Sequence, residues 1–324
     1  MHVTAIVDPD ASKVASLNLP QQDSCPAPAV FESVSALLAA RNSGVVSVDA
    51  ASVCVPTSAH CEVASLLLKS GIDVLVEKPI ASTVTEAEQM ISLAKHHSCI
   101  LQVGHLERFN PAVAAASAMR NHPMFFEAHR LSMFSPRALD VDVVLDLMIH
   151  DLDIVLHLVQ SQVREVRAVG LPIVSTRVDI ANARIEFESG CIANFTASRV
   201  STEKVRKLRF FQPNQYVSLD YARKDLLVID VSPDSLLEGA RLQDSATAFP
   251  STSALPPGLR MHKPDLRPGE PLRLEIESFL QSTHARTDPI VSGEDGRRAL
   301  ALAIQIHDAM AAHARRAGLE KYMP

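Results

Sequence analysis

The chain has 324 residues, of which 47% are hydrophobic and 21% charged, and its formal net charge is -6. This length predicts two domains, and this composition is typical of a globular protein with a sizeable core. The slight acidity and the lack of a basic run exclude nucleic acid as a partner. There is no apolar run of membrane-spanning length and no signal-peptide pattern, so we expect a cytoplasmic protein without a membrane partner.

The first hundred residues alternate short apolar runs with segments of helical periodicity. Strands are predicted at residues 3–7, 45–55, just before Lys78, and at 100–104; helices are predicted at 9–17, 34–41, 60–70 and 83–97. This alternation predicts an α/β domain with a Rossmann-like parallel sheet.

Glycine is scarce, with 11 residues in 324 and none before Gly44. A dinucleotide-binding domain normally opens with a strand and a G-x-G-x-x-G turn, which this sequence lacks. We therefore interpret the strand that ends in Asp8 as the second Rossmann strand. Asp8 is expected to accept a ribose hydroxyl and to disfavour the phosphorylated cofactor, unless it only caps a turn.

The absent first strand would occupy the centre of the sheet, beside the Asp8 strand. Three explanations compete for its absence. The start codon is assigned too far downstream, which we favour; the chain is truly truncated; or the remaining strands pair around the gap. Only the last of these predicts a continuous sheet.

Lys78 follows an apolar strand directly, in the run Glu77-Lys78-Pro79. Pro79 ends the strand because it has no backbone N–H to donate. Open parallel sheets bind ligands at the carboxyl ends of their strands, so Lys78 is a candidate for chemistry. The alternative is a solvated lysine in a loop, as most lysines are.

After Gly104 the pattern changes to consecutive β segments. We predict helices at 110–121 and 142–159 around a strand at 125–134, then strands at 163–174, 180–188, 191–200, 207–211 and 217–220, a loop at 232–270, and closing helices at 271–284 and 294–317. Strands without intervening helices favour an antiparallel sheet. We therefore divide the chain into a nicotinamide-dinucleotide-binding domain, residues 1–106, and an α+β domain with a large open antiparallel sheet, residues 107–324. The closing helix is expected to pack back on the first domain.

The predicted apolar helix carries Asp146 and His150, four residues apart. That spacing puts both side chains on one helix face. A carboxylate that supports an imidazole is the arrangement of a general base. The alternative is a satisfied polar pair in a helix interface.

Glu77-Lys78-Pro79 after a strand, combined with Asp146-x-x-x-His150 on a later helix, resembles the glucose-fructose oxidoreductase, inositol dehydrogenase and rhizopine-catabolism (Gfo/Idh/MocA) family of nicotinamide-dependent sugar oxidoreductases. The resemblance implies this two-domain fold, NAD as cofactor, and a catalytic set of Lys78, Asp146 and His150. Pro56, Thr57 and His60 resemble the cofactor-lining turn of the family, to which Glu77 and Lys78 also contribute; His60 alternatively caps its helix.

Residues 103–111, 135–137 and 291–298 resemble the bacterial branch of the family that oxidises UDP-N-acetylglucosamine at its 3-hydroxyl, for later amination in lipid A biosynthesis. This resemblance implies substrate contacts from His105, Arg108 and Arg137, since arginine suits a diphosphate. For Arg108 an ion pair with a neighbouring acid such as Glu107 stays open.

The predicted function is NAD-dependent oxidation of a sugar or nucleotide-sugar hydroxyl. Two alternatives remain: a non-catalytic sugar-nucleotide-binding or regulatory protein, and a dehydrogenase of free sugars or inositol. One uncovered face of the open sheet predicts a homodimer or homotetramer.

Overall fold

The computed structural model describes residues 2–17, 26–119, 122–134, 141–232 and 258–322. They form two compact units, Met1–Gly104 with Ile276–Arg297, and His105–Glu275 with Arg298–Pro324. The first division falls beside the expected boundary at 106, and a stretch near the end of the chain belongs to the first unit.

Parallel strands and helices alternate in the first unit, as predicted. The strands are β1 (Ala5–Val7), β2 (Ala29–Phe31), β3 (Ala50–Val53), β4 (Asp73–Glu77) and β5 (Leu101–Gly104), and the helices are α1 (Ala11–Ala15), α2 (Val34–Asn42), α3 (Thr57–Lys69) and α4 (Val84–His96). The short strand β2 is not evident from the sequence. Helix α4 begins with a capping box, in which the Thr83 hydroxyl accepts the Glu86 N–H and the Glu86 carboxylate accepts the Thr83 N–H, both at 3.2 Å.

The five strands form two separate parallel sheets. One contains β1 and β2, and the other contains β3, β4 and β5 in that order. Among the described residues β1 and β3 are not paired, so the third explanation, in which the remaining strands pair around the gap, is wrong. The burial of the strands agrees with this separation into two sheets, because β5 is fully buried while every residue of β1 is partly exposed. In the doubly wound order a further strand lies between β1 and β3.

A sheet of eight strands forms the second unit, in the order β13-β12-β11-β10-β6-β9-β8-β7. The strands are β6 (Phe125–Leu131), β7 (Val163–Leu171), β8 (Ile180–Phe187), β9 (Ile192–Ser198), β10 (Val205–Gln212), β11 (Gln215–Asp220), β12 (Asp225–Val231) and β13 (Leu259–His262). Strands β6 and β9 run parallel and the other neighbouring strands run antiparallel, so the sheet is mixed and mostly antiparallel, and the prediction of a large antiparallel sheet is confirmed. Strand β12 is missing from the predicted set, and β13 lies within the predicted loop.

Helices cover one face of this sheet, namely α5 (Pro111–Ser117), α6 (Ile149–Val159) and the later part of α8 (Gly293–Ala317). The division between the units falls within α8 and within α7 (Pro271–Ala285), most of which belongs to the first unit. Residues of α5, α6 and the later part of α8 form the core together with alternate residues of the strands, such as Ile185 and Phe187. Gly170 on β7 allows the closest approach of α8, because a Cβ atom there would lie 2.4 Å from the Met310 sulfur.

The opposite face carries an apolar row in register across six strands. The row consists of Met261, Ile229, Tyr216, Phe211, Phe125 and Ile192. The rings of Phe125 and Phe211 lie 5.6 Å apart, and those of Phe211 and Tyr216 lie 5.1 Å apart. We call this set the outer row. Within the described ranges, the helices all fall short of the length and apolarity needed to cross a membrane.

Candidate active site

Lys78 follows the last residue of β4, where the sequence predicts it. Residues 73–76 of the strand are buried, whereas Glu77 and Lys78 are partly exposed. The Lys78–Pro79 peptide bond is cis. The neighbouring strands β3 and β5 end at the same edge, which brings Pro56, Thr57 and Gly104 to the side of the sheet that carries Lys78. This edge is the position at which open parallel sheets bind their ligands.

Glu77 packs directly on Gly104 of the adjacent strand. A Cβ atom on Gly104 would lie 3.1 Å from the Glu77 carboxylate and 3.2 Å from the Glu77 Cα. These distances are tighter than ordinary van der Waals contact, and the Cα cannot move without its strand. A glycine at position 104 therefore allows the backbone next to Lys78 to lie where it does.

His60 lies inside the first unit, with 1% of the residue exposed. Its ring nitrogens Nδ1 and Nε2 each lie 2.9 Å from a carbonyl oxygen, that of Pro79 and that of Val55 respectively. Helix α3 has no side-chain cap at Pro56, so the interpretation of His60 as a helix cap is not what the structure describes. Contact between His60 and a cofactor stays a prediction.

Asp8 follows β1 and is partly exposed. Its carboxylate oxygen Oδ1 accepts the Asp10 N–H at 2.8 Å, which holds the turn into α1. The turn interpretation of Asp8 is thus present in the structure. The carboxylate nevertheless stands at the carboxyl end of a parallel strand, where the ribose acceptor of a dinucleotide-binding domain lies, so the residue fits the expected cofactor.

Asp146 and His150 lie in the second unit at the start of the apolar helix. The predicted α-helix from 142 to 159 is corrected in its first turns: Val144–Met148 form a π-helical turn, and α6 begins at Ile149. In a π turn each residue rotates less about the helix axis than in an α-helix. The relative directions of the Asp146 and His150 side chains are therefore set by the π turn, and the four-residue spacing of an ideal α-helix does not describe them. Both residues are partly exposed. Such turns occur frequently at functional sites.

Asp142 caps the π turn that carries Asp146. Its Oδ1 accepts the N–H groups of Val144 at 2.8 Å and Leu145 at 3.2 Å, and the His307 Nε2 lies 2.9 Å from the same oxygen. Burial raises the pKa of Asp142, but the hydrogen bond and charge of His307 and the two amides outweigh it and hold the pKa below its usual value. The cap therefore favours a charged carboxylate.

The loop before β8 supports the same turn from the other side. Val143 N–H donates to the Val178 carbonyl at 3.0 Å. The next residue, Asp179, is fully buried, and its Oδ2 accepts the N–H groups of residues 173, 174 and 175 at 2.7–2.9 Å, while its Oδ1 accepts the Ser175 hydroxyl at 2.6 Å. Burial raises the pKa of Asp179, yet these donors lower it overall to about 2.

Arg108 is engaged in a buried ion pair with Asp153 on α6. Nε donates to Oδ2 at 2.7 Å and Nη2 donates to Oδ1 at 3.4 Å, and both side chains are almost fully buried. This geometry favours the ion-pair alternative over a diphosphate contact, with Asp153 as the acid in place of the expected Glu107. A guanidinium already paired in this way has little capacity left for a substrate.

Arg130 forms a second buried ion pair with α6. It donates to both carboxylate oxygens of Asp151 at 2.8 and 3.0 Å and to Glu107 at 3.0 Å, and its guanidinium lies 4.8 Å from the centre of the Tyr221 ring. Burial lowers the pKa of Arg130, but the two carboxylates outweigh it and raise the pKa overall. Two arginine–aspartate pairs therefore hold the helix that begins at Ile149, next to His150.

We did not predict these pairs, although the sequence contains a signal for them. Arg130 occupies the same face of β6 as Phe126 and Ala128, which point into the core. An inward arginine beside a helix with three acids predicts buried pairing, because an unpaired buried charge is very unfavourable.

The other predicted site residues are His105, Arg137, Asp146, His150 and Lys78. His105 is buried, with 1% exposed, and its contact with substrate stays a prediction. Arg137 lies outside the described residues. Asp146 and His150 are brought together on one helix, whereas Lys78 belongs to the other unit.

Within the described residues, we find no group of three or more histidine, cysteine, aspartate or glutamate side chains that could hold a metal.

Two family profiles match the chain. Residues 1–105 match the Gfo/Idh/MocA profile described as "Oxidoreductase family, NAD-binding Rossmann fold", and residues 113–212 match the "GFO/IDH/MocA C-terminal domain".

Individual relatives agree with these matches. UDP-N-acetylglucosamine 3-dehydrogenase of Acidithiobacillus ferrooxidans is 36% identical over 287 residues, which is 88% of this chain and 84% of the relative. A crystal form of that enzyme superposes with a TM-score of 0.78 at 33% identity, over 95% of this chain and 90% of that chain. Myo-inositol 2-dehydrogenase of Thermotoga maritima is 25% identical over 79% of this chain and 75% of the relative.

Proposed function

Because this chain belongs to the Gfo/Idh/MocA family of NAD-binding oxidoreductases, we propose that it oxidises the 3-hydroxyl of UDP-N-acetylglucosamine with NAD. The observation that carries the proposal is the presentation of Lys78 at the carboxyl end of β4, in a chain that also carries Asp146 and His150 in a helical segment whose first N–H groups bind Asp142. The substrate follows from the similarity to the Acidithiobacillus enzyme over most of both chains.

The proposed chemistry breaks one O–H bond and one C–H bond and forms a carbonyl. His150 accepts the hydroxyl proton, Asp146 orients and supports the imidazole, and Lys78 donates a hydrogen bond to the oxygen as negative charge develops on it. NAD, when bound, accepts the hydride from the substrate carbon. A lysine near a positively charged ring loses its proton more readily, so Lys78 and His150 could exchange roles.

The residues that would hold the cofactor lie at strand ends of the first unit. Asp8 would take the ribose hydroxyls, and Pro56, Thr57 and Glu77 would line the nicotinamide side. The acidic side chain of Asp8 opposes the additional phosphate of the phosphorylated cofactor. The pyrophosphate cradle is not among these residues, because the sequence contains no glycine before Gly44.

A free sugar or inositol is the second candidate substrate. The observation in its favour is the Arg108–Asp153 pair, which removes one of the two arginines predicted to bind a diphosphate. The similarity of this chain to an inositol dehydrogenase also supports a free sugar or inositol as substrate. The nucleotide sugar is preferred because the relative that acts on it is more similar and covers more of the chain.

We also propose that a second copy of this chain covers the outer row. Beside the row, Arg209 and Glu127 form a loose pair at 3.9 Å, and Lys207 stands opposite Asp220. A face that combines an apolar row with both signs of charge is complementary to a copy of itself related by a twofold axis. A homodimer or homotetramer in the cytoplasm, where NAD-linked sugar chemistry takes place, is the expected assembly.

Three substrates distinguish the candidates. The purified chain is mixed with NAD and, in separate cuvettes, with UDP-N-acetylglucosamine, N-acetylglucosamine and myo-inositol, and reduced-nicotinamide absorbance is followed. Absorbance that rises only with the nucleotide sugar supports the proposal. Turnover of either uncharged compound at a comparable rate supports the second candidate. No turnover, together with no heat of NAD binding in calorimetry, contradicts the oxidoreductase function of this chain and favours a binding protein.

A further inference from the structure

His60 contacts the two chain segments that leave β3 and β4. The hydrogen-bond ladder between these strands ends at the pair Val53 and Val76. Beyond it the two segments contain Pro56 and Pro79, which have no N–H and cannot extend the ladder. The imidazole lies at this point, 2.9 Å from the Val55 carbonyl on one side and 2.9 Å from the Pro79 carbonyl on the other.

Both contacts require the ring to act as a donor, since a carbonyl oxygen only accepts. A ring with one proton makes one of the two hydrogen bonds, and a ring with two protons makes both. The residue is 1% exposed and its contact with the Pro79 carbonyl is buried, so water does not compete for that carbonyl. The imidazole thus supplies a donor at the point where the two prolines have none.

Lys78 lies between two fixed points because of this arrangement. On its amino side, Glu77 is paired with Gly104 in the ladder between β4 and β5. On its carboxyl side, the Pro79 carbonyl is held by His60. We propose that His60 is a positioning residue that fixes the backbone at Lys78 by bridging the carbonyls of Val55 and Pro79.

This inference rests on the proposed function only for its effect on turnover. A displacement of about 1 Å at a reacting group can lower the rate about 100-fold. The bridge itself is a property of the first unit and can be observed without any substrate.

The test compares His60→Ala, His60→Gln and the control His96→Ala, which removes an exposed histidine of the same unit. We expect kcat to fall about 10- to 100-fold in His60→Ala with KM for both substrates nearly unchanged, and to fall less in His60→Gln, whose amide still donates to one carbonyl. Free imidazole, which fits the space left by the ring, should restore part of kcat in His60→Ala. Thiophene, a ring of similar size without a donor, should restore none.

A second readout needs no turnover. Hydrogen–deuterium exchange of the amides of Ile80 and Ala81 should quicken in His60→Ala and stay unchanged in His96→Ala. If the wild-type protein shows no turnover, the proposed function fails, and the exchange result alone decides the inference. Unchanged exchange, or a kcat within twofold of the wild type, overturns it. So does a loss expressed as a higher KM for NAD at constant kcat, which indicates direct cofactor contact. If His60→Ala does not fold, His60→Gln is judged by the same criteria.

Discussion

Replacement of Arg130 by methionine should destabilise the second unit strongly. The side chains of Arg130 and Asp151 are each 3% exposed, and Arg130 makes three hydrogen bonds of 2.8–3.0 Å to two carboxylates. Methionine fills most of the volume but leaves the Asp151 charge buried without its cation. Removing one partner of a buried pair costs about 3–5 kcal/mol, and the second carboxylate, Glu107, places this case near the upper end.

Urea unfolding at pH 7 measures this loss directly. Since a domain is stable by only about 5–15 kcal/mol, the midpoint should fall by a large fraction of its wild-type value. The double variant Arg130→Met/Asp151→Leu should recover part of the lost stability, because it removes the buried Asp151 charge while Glu107 still lacks its cation. Arg164→Met is the control, since its side chain is 63% exposed and its pair with Glu186 lies on strands outside the outer row, and it should cost about 1 kcal/mol or less.

Two results would refute this reasoning. One is a loss below about 1 kcal/mol in Arg130→Met, which would mean that water or a rearrangement satisfies Asp151. The other is additivity of the two single variants in the double-mutant cycle, which would mean that the pair is not coupled.

Three further predictions concern stability, the site and assembly. Asp179→Asn should lose about 2 kcal/mol at pH 7 by urea unfolding. Because the folded pKa of about 2 lies below the unfolded value, this contribution is present above about pH 4, falls by about half at pH 3 and vanishes only below about pH 2, so a loss that is independent of pH contradicts it. Gly104→Ala should displace Glu77 and lower kcat about tenfold, and an unchanged kcat shows that the close contact does not matter. Phe211→Asp should place a charge in the outer row and convert the oligomer to monomers in sedimentation velocity, whereas an unchanged sedimentation coefficient excludes this face as the interface.

Much of the first unit was predictable because buried parallel strands carry a strong local signal. The apolar run before Lys78 and the capping residues Thr83 and Glu86 specify a strand and a helix without tertiary information. Strand pairing depends on contacts between residues far apart in the chain, so the sequence pattern alone does not establish that β1 and β3 are unpaired.

The second unit was less predictable because its decisive contacts are far apart in the chain. The parallel pairing of β6 with β9 joins residues about seventy positions apart, and no turn residue signals it. The π turn around Asp146 depends on Asp142 and His307, and the latter lies on α8. The sequence allowed Arg108 either to bind a diphosphate or to form an ion pair with its neighbour Glu107. In the structure its partner is Asp153, which is far from it in the chain.

Transfer of deuterium from substrate to cofactor shows directly whether the chain oxidises carbon 3 of the nucleotide sugar with the help of Lys78. UDP-N-acetylglucosamine carrying deuterium at carbon 3 is incubated with NAD and the wild-type chain or Lys78→Ala, and the reduced nicotinamide is analysed by mass spectrometry. We expect deuterium in the nicotinamide with the wild-type chain and none above background with Lys78→Ala. Reduced cofactor without deuterium would assign the reaction to another position, and equal transfer by Lys78→Ala would contradict the role of Lys78.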